Sequence, residues 1–191
     1  MAAKAGPEVF QLKISLLYLR PPIWRRVQVA KDATLADLHE VIQAVFGWEH
    51  AHLHQFEVGD TLYGDPSMFD DGFGFRTHDQ ARVRLDQLVN RGFDRFFYTY
   101  DFGDNWQHEI KVEKTLPAAP DVDYPVLRGG RRRAPPEDCG GVPGFAMLVE
   151  AINDESHPEH EEMCDWYGES FDPDDMELDL VEARLDQIRG K

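Results

Sequence analysis

Histidines stand at spacings that could bind a metal ion. His52 and His54 are separated by one residue in H-L-H, and His108 ends the stretch D-F-G-D-N-W-Q-H. On a β-strand, residues i and i+2 point to the same face, so two such imidazoles can bind one zinc ion. His108 shares its parity with the apolar positions around it, which favours an inward side chain. His52, His54 and His108 are therefore candidate ligands of a divalent metal such as zinc. The alternative is that each histidine is only hydrogen-bonded within a polar part of the structure.

The stretch 101–108 also supplies carboxylates. Asp101 and Asp104 stand close to His108 in sequence, and a carboxylate near a histidine can orient its ring or share a cation with it. The alternative is that both aspartates cap a tight turn through hydrogen bonds to the backbone. The tripeptide D-F-G also occurs in protein kinases, but V-A-I-K and H-R-D are missing from this chain, which excludes that class.

A third group of polar residues lies in P-P-E-D-C-G-G, residues 135–141. Glu137 and Asp138 could bind a metal or a polar ligand, and the two glycines permit a left-handed backbone. A nucleophilic Cys139 would need a nearby cation to lower its thiol pKa, and its acidic neighbours argue against that role. A purely structural loop is the alternative. Together with aromatic residues of the neighbouring stretches, the candidate ligand-binding residues are Tyr98, Asp101, Asp104, Trp106, Glu137, Asp138 and Cys139.

Strands with period-2 alternation must position these residues. Alternation over 10–18 and 23–29 predicts one hairpin, and alternation over 96–100 and 106–112 predicts a second hairpin around a turn that contains glycine. The stretch 52–58 predicts a further strand, and the region 59–74, rich in Gly, Asp and Pro, predicts a surface loop. The sequence therefore indicates an antiparallel β-sheet, or a partly closed barrel of hairpins.

Besides a short helix over 83–90, helices are predicted at two places in the chain. One helix is inserted between strands, with Thr34 as its N-cap and Gly47 as its C-cap. The others follow the long Pro- and Gly-rich loop 116–144, and the last of them is predicted to start at Pro173. Strands followed by helices define an α+β fold. We interpret residues 1–191 as one domain in which 1–8 form a flexible N-terminus.

The charge is unevenly distributed. The net charge is −16; residues 1–95 hold 11 Lys/Arg and 13 Asp/Glu, whereas residues 96–191 hold 9 and 23. Nucleic-acid binding needs phosphate neutralisation by Lys and Arg, so direct binding of DNA or RNA is not expected. No apolar run approaches the roughly 20 residues of a membrane span, and the N-terminal residues lack the apolar core of a signal peptide. These features predict a cytoplasmic protein without a membrane segment.

Several distinctive stretches together resemble a known family, the plasmid pRiA4b ORF-3-like proteins. They include P-P-I-W-R-R-V-Q-V, T-L-A-D-L-H-E-V-I-Q-A-V-F-G-W, H-L-H-Q-F, Y-T-Y-D-F-G-D-N-W-Q-H-E-I, P-P-E-D-C-G-G-V-P-G-F and H-P-E-H-E-E-M-C-D-W-Y-G. The resemblance runs from about residue 9 to about residue 182. It implies an α+β domain but supplies no catalytic residues, since the members are mostly described as of unknown function. Some members carry a resolvase-like label, yet no serine of this chain lies in an arginine cluster.

Three hypotheses about function follow. The first is an intracellular binding module whose polar, aromatic-lined pocket is formed by the segments 52–54, 101–108 and 135–141, for a small molecule, peptide or protein. The second is a metal-dependent hydrolase with the three histidines as ligands and Asp104 or Glu137 as base. The third is an acidic protein-interaction adaptor associated with mobile genetic elements. The first hypothesis requires that the three segments lie together in the fold.

Overall fold

An open sheet of eight strands forms one layer of the structure. The computed structural model describes residues 6–67, 77–168 and 170–190. The strands are β1 (Glu8–Leu16), β2 (Ile23–Ala30), β3 (His54–Val58), β4 (Thr61–Gly64), β5 (His78–Asp79), β6 (Arg95–Tyr100), β7 (Trp106–Pro117) and β8 (Val126–Arg131). Their order is β5-β4-β3-β6-β7-β1-β2-β8. All neighbours are antiparallel except β4 and β5, which are parallel. The predicted α+β class is confirmed, and the sheet is not closed into a barrel.

Within the described residues, five α-helices accompany the sheet. They are α1 (Leu35–Phe46), α2 (Leu85–Asn90), α3 (Gly141–Ile152), α4 (His160–Tyr167) and α5 (Leu178–Arg189), with a short 3-10 helix at Gln80–Arg82. The inserted helix and the C-terminal helices were thus correctly predicted. No helix among the described residues is both long and apolar enough to cross a membrane.

Two predicted boundaries were wrong. The last helix begins at Leu178 rather than at Pro173, because Asp172 caps a tight turn instead, accepting the backbone N–H of Asp174 at 2.9 Å. The region 59–74, predicted as a surface loop, contains strand β4, and its residues from 68 onward lie outside the described part of the chain.

Helix α1 has both of the ends that its sequence predicts. The Thr34 hydroxyl accepts the backbone N–H of Asp37 at 3.1 Å, and the Asp37 carboxylate accepts the Thr34 N–H at 2.7 Å, which forms a capping box. Gly47 ends the helix in the left-handed region at φ 80°. The buried stripe of α1 includes His39 and Gln43 as well as aliphatic residues, so polar groups enter the core at this helix.

The strands bury one face beneath the helices and leave the other face polar. On β1, Leu12 and Ile14 are fully buried, while the alternate face carries residues such as Gln11. There Glu113 accepts hydrogen bonds from Arg26 at 2.6 and 2.8 Å and from Gln11 at 2.9 Å. Such alternation is typical of an antiparallel sheet with one solvated face. The chemistry of the buried face is therefore set by the residues that meet α1.

Arg25 is a buried cation at the junction of three elements. It is 1% exposed, and its Nε donates to the carbonyl of Val45 in the last turn of α1 at 2.8 Å. Its Nη1 donates to the carbonyls of Trp24 at 3.0 Å and of Arg131 on β8 at 3.1 Å. Burial lowers the pKa of Arg25 to about 10, so the guanidinium remains charged at neutral pH. A cation at the C-terminal end of a helix is favourable for the helix dipole.

We expect Arg25→Met to lower the free energy of unfolding by about 3 kcal/mol, because three backbone carbonyls around this buried guanidinium lose their donor. Urea unfolding followed by circular dichroism measures this loss. Arg26→Met is the matched control on the adjacent residue and the opposite face, where loss of a surface ion pair should cost at most about 1 kcal/mol. Equal losses in the two variants would show that Arg25 has no special role.

Candidate functional site

The three segments singled out by the sequence lie against one another. Strand β3 pairs with β6 through His54 and Tyr100, and the N–H of Asp101 donates to the carbonyl of Leu53 at 2.9 Å. These contacts place 52–54 beside the β6–β7 turn. The N–H of Gly140 then donates to the carboxylate of Asp104 at 3.1 Å, which attaches 135–141 to the same turn. One site is therefore assembled from distant parts of the chain.

His52 is surrounded by carboxylates. Its Nε2 lies 3.0 Å from Asp138 Oδ1, 3.7 Å from Glu137 Oε2 and 3.8 Å from Asp101 Oδ2. The ligand atoms of His52, Asp101 and Asp138 all lie within 4.8 Å of one another. Although the contact with Asp138 is short, Nε2 is buried and makes no hydrogen bond. We call His52, Asp101, Glu137 and Asp138 the His52 group.

Glu137 is held by hydrogen bonds to one of its two oxygens. Oε1 accepts from the Tyr100 hydroxyl at 2.8 Å and from the N–H of Glu49 at 2.9 Å. Oε2 is buried without a hydrogen-bond partner among the described residues. Burial, and then the hydrogen bond and charge of Glu137, raise the pKa of Tyr100, so its hydroxyl stays protonated as a donor. Glu137 thus presents one free oxygen towards His52.

The two aspartates Asp101 and Asp138 have strained backbone conformations. Asp101 and Asp138 have left-handed conformations with φ of 53° and 55°. Such conformations cost energy in residues other than glycine and persist where the surroundings enforce them. Asp101 also caps its turn, since Oδ1 accepts the N–H of Gly103 at 2.9 Å while Oδ2 faces His52. The capping and the metal-binding hypotheses for Asp101 are therefore compatible.

Gly141 permits the close approach of the third segment. Its φ is +66°, and a Cβ atom there would lie 2.6 Å from the backbone oxygen of Asp104. Only glycine fits without a shift of one backbone against the other. The glycines of P-P-E-D-C-G-G therefore have the role that the sequence predicts for them, which is to let the backbone turn and pack tightly.

These segments contain buried polar side-chain atoms that lack a hydrogen-bond partner. Within the described ranges, four buried side-chain nitrogen or oxygen atoms lack a hydrogen-bond partner: His52 Nε2, Trp106 Nε1, His108 Nε2 and Glu137 Oε2. All four belong to the segments 52–54, 101–108 and 135–141. Because buried polar atoms in native proteins are nearly always paired, these four atoms are unusual, and two of them, His52 Nε2 and Glu137 Oε2, belong to the His52 group.

The remaining predicted residues have other surroundings. His108 is fully buried, and its ring packs edge-on against Phe46 and Trp48. His54 is 5% exposed, and its Nε2 lies 3.0 Å from Gln80 Oε1. Tyr98 and Trp106 are 0% and 1% exposed, so both belong to the buried core. Among the described residues, carboxylates rather than His54 or His108 complete the surroundings of His52.

Cys139 is poorly suited to act as a nucleophile. Burial, followed by the nearby charges of Asp104, Asp138 and Glu137, raises the pKa of the Cys139 thiol to about 12. The reactive thiolate is therefore scarce at neutral pH. Its structural contribution is its carbonyl, which lies 1.8 Å from where a Cβ of Gly144 would stand, so this turn packs tightly as well.

A second group of potential ligands was not predicted. His39 and Glu40 of α1 lie near His50, and the ligand atoms of the three residues lie within 4.8 Å of one another. Burial, and then the neighbouring rings of His54 and His50, lower the pKa of His39 to about 2. Alternating histidines at 50, 52 and 54 were a signal for this group. His39 was not recognised as a candidate ligand from the sequence, because it belongs to the buried stripe of an amphipathic helix.

Comparison with known proteins settles the family. The family model for plasmid pRiA4b ORF-3-like proteins matches residues 8–180. The chain belongs to this family. The resemblance read from the sequence motifs is thus confirmed.

Relatives of this pRiA4b ORF-3-like chain match it over nearly its full length. The uncharacterized protein y4hQ of Sinorhizobium fredii is 37% identical over 185 residues, which cover 96% of this chain and 93% of y4hQ. The crystal structure of MM3350, a protein of unknown function from Methanosarcina mazei Go1, has a TM-score of 0.83 and 37% identity. That match covers 94% of this chain and 99% of MM3350. These similarities support the family fold, while the role of the site has to be argued from its geometry.

We expect Gly141→Ala to destabilise the protein by about 2 kcal/mol or more, because the new Cβ meets backbone and the residue must keep a positive φ. Gly92→Ala is the matched control: its φ is +91°, but nothing lies within 4 Å of the added Cβ. That variant should cost only about 1 kcal/mol. Thermal unfolding of both variants tests the close approach, and equal losses would contradict it.

His108 should make stability depend on pH. Burial lowers its pKa to about 3, while its Nδ1 donates to the Tyr98 carbonyl at 3.3 Å. The ring stays neutral in the folded protein but takes up a proton in the unfolded chain below about pH 6.5. Its contribution to stability is therefore present above that pH and is lost as the pH falls towards 3. Between pH 7 and pH 5 the loss amounts to about 2 kcal/mol.

His108→Asn tests this dependence, since an amide can keep the bond to the Tyr98 carbonyl but does not titrate. We expect the stability difference between the wild type and this variant to shrink by about 2 kcal/mol from pH 7 to pH 5. Urea unfolding at several pH values measures it. Parallel stability curves would mean that His108 is protonated equally in both states.

Proposed function

We propose that the chain is a binding module whose site holds a divalent cation through His52, Asp101 and Asp138, with Glu137 beside them. What supports this most directly is His52 Nε2, a buried nitrogen that makes no hydrogen bond although three carboxylates lie 3.0–3.8 Å away. Two ligand atoms bound tetrahedrally to one zinc ion lie about 3.3 Å apart, given metal–ligand bonds of ~2.0–2.1 Å. The observed distances bracket this value.

The donor set indicates which ions fit. One imidazole nitrogen with several carboxylate oxygens suits Mn²⁺ and Zn²⁺, since imidazole favours the transition metals and carboxylate also accepts harder ions. The three carboxylates around one imidazole repel one another unless a cation lies among them. A bound cation would offset that repulsion and would leave coordination positions for an oxygen atom of a small molecule or peptide.

The surroundings give the site a rigid support. Trp48 stacks on Tyr100 with ring centroids 4.8 Å apart, and its Nε1 donates to the carbonyl of Pro135 at 3.0 Å. Tyr100 in turn holds Glu137. Aromatic rings thus fix the carboxylate that faces His52, and ligands held in this way need little reorganisation on binding. The aromatic residues act as the wall of a polar site.

A metal-dependent hydrolase is the alternative that uses the same site. Glu137 Oε2 is the observation in its favour, since it is buried, lacks a hydrogen bond and lies 3.7 Å from His52 Nε2. A carboxylate beside a metal ion can act as general base towards a metal-bound water. Asp104, the other predicted base, has its carboxylate engaged by Gly140. The adaptor hypothesis rests on the acidic C-terminal helices and stays a prediction.

Calorimetric titration of the chelator-treated full chain with Mn²⁺ tests the cation site. We expect Asp138→Asn to weaken binding by about tenfold or more, a free-energy loss of about 1.4 kcal/mol, because one anionic ligand is lost. Asp138 is exposed over 69% of its side chain, so the substitution should not disturb folding.

The matched control is Asp165→Asn on α4, which removes the same charge from the acidic C-terminal region. It should leave Mn²⁺ affinity unchanged. Equal weakening in both variants, or no binding by the wild type, would contradict the proposal and leave the acidic surface as a nonspecific attractor of cations.

A further inference from the structure

A histidine-rich group lies in a cleft next to the His52 group. His39 Nε2 is 3.1 Å from His50 Nδ1, and that same nitrogen of His50 is 3.7 Å from Glu40 Oε1. His39 and Glu40 are adjacent on α1, whereas His50 lies in the connection between α1 and β3. The cleft has a volume of about 330 Å³ and is also lined by His52 and His54.

We propose that His39, Glu40 and His50 form a second metal site, of the kind that binds Zn²⁺ or Co²⁺. Two imidazoles and one carboxylate are a common ligand set for these ions, with one coordination position left open. The proposal does not depend on a cation at the His52 group.

The distances are close to those that a tetrahedral ion requires. With metal–nitrogen bonds of ~2.0–2.1 Å, two ligand nitrogens stand about 3.3 Å apart. The observed 3.1 Å between the two imidazoles and 3.7 Å to the Glu40 oxygen therefore need only small adjustments. Since His50 is 45% exposed and Glu40 is 35% exposed in their side chains, both can adjust and an ion can enter from solvent.

The buried ligand is fixed by its neighbours. The other ring nitrogen of His39, Nδ1, lies 2.7 Å from the Tyr98 hydroxyl, which also accepts from Gln43 at 3.2 Å. When His39 Nδ1–H donates to that oxygen, Nε2 carries the lone pair that a metal needs. Metal-binding histidines usually have such a partner on their second nitrogen.

Two further contacts orient the rings. His54 stacks on His39 with centroids 3.5 Å apart and planes inclined by 8°, and Gln80 anchors His54 from the other side. His50 has a left-handed backbone at φ 57°, and its N–H donates to Gln43 Oε1 at 2.9 Å. His54 is thus a positioning residue for this site, although the sequence marked it as a ligand.

The simplest alternative is a histidine pair joined by a hydrogen bond, with no metal. That arrangement explains the 3.1 Å distance, and an ion pair between a protonated His50 and Glu40 explains the 3.7 Å distance to the same nitrogen. The two explanations differ in one measurable property, since only a metal site gives tetrahedral Co²⁺ its characteristic visible absorption.

The test is titration of the chelator-treated full chain with Co²⁺, followed by visible absorption. We expect one tetrahedral Co²⁺ spectrum in the wild type and at least a tenfold loss of Co²⁺ affinity in His50→Ala. His50 is exposed, so this variant should fold; thermal unfolding checks it. His39→Gln should show the same loss. The control His78→Ala removes an exposed histidine outside the group and should keep the spectrum.

Asp138→Asn separates this proposal from the cation site at the His52 group. It should keep the tetrahedral Co²⁺ spectrum while losing Mn²⁺ affinity. A spectrum lost in Asp138→Asn and kept in His50→Ala would place the ion at the His52 group and overturn the second site. No tetrahedral spectrum in the wild type would overturn it as well, without bearing on Mn²⁺ binding.

Discussion

The buried guanidinium of Arg25 is the constraint on which the arrangement of both candidate sites depends. It ties the last turn of α1 to strands β2 and β8 through three hydrogen bonds to backbone carbonyl oxygens. A buried cation is tolerated only where its donors are satisfied. A shift of the helix end would therefore expose the guanidinium or remove its hydrogen-bond partners. The residues that follow this helix end therefore have fixed positions. Trp48 Nε1 donates to the carbonyl of Pro135, and the N–H of Glu49 donates to the carboxylate of Glu137.

From that anchored end the chain continues directly into the candidate ligands. Gly47 turns it in the left-handed region, and within three residues it reaches His50, with His52 two residues later. His50 faces the helix that the chain has just left, whereas His52 faces the carboxylates of 101 and 137–138. One short connection thus contributes an imidazole to each of two groups with different donor chemistry. Imidazole-rich and carboxylate-rich ligand sets favour different metal ions. Two neighbouring sites of these kinds can therefore bind different ions.

Local sequence signals predicted the helices and strands well. They did not predict the contacts between segments that are distant in sequence. The capping residues of α1 and the alternation of the β6–β7 hairpin are local, so that helix and those strands were predictable. The parity of H-L-H suggested that His52 and His54 share a face, but β3 begins at His54, and His52 precedes the strand. Which acids surround His52 depends on how 135–141 docks against the turn at 101–105, a contact that periodicity does not encode. The glycines and acidic residues of P-P-E-D-C-G-G marked that segment as unusual, but they did not indicate which segment packs against it.

The core beneath α1 is more polar than stability alone would require. His39, Gln43, His54, Tyr98 and His108 are all buried there, although apolar residues of similar size would avoid the cost of removing polar groups from water. Buried polar networks persist when each member is satisfied and when the network has a use. Here Gln43 Nε2 donates to the Tyr98 hydroxyl, that hydroxyl lies 2.7 Å from His39 Nδ1, and the stacked His54 fixes the plane of the His39 ring. In the second metal site proposed above, this network would hold the His39 ring in position for a bound ion.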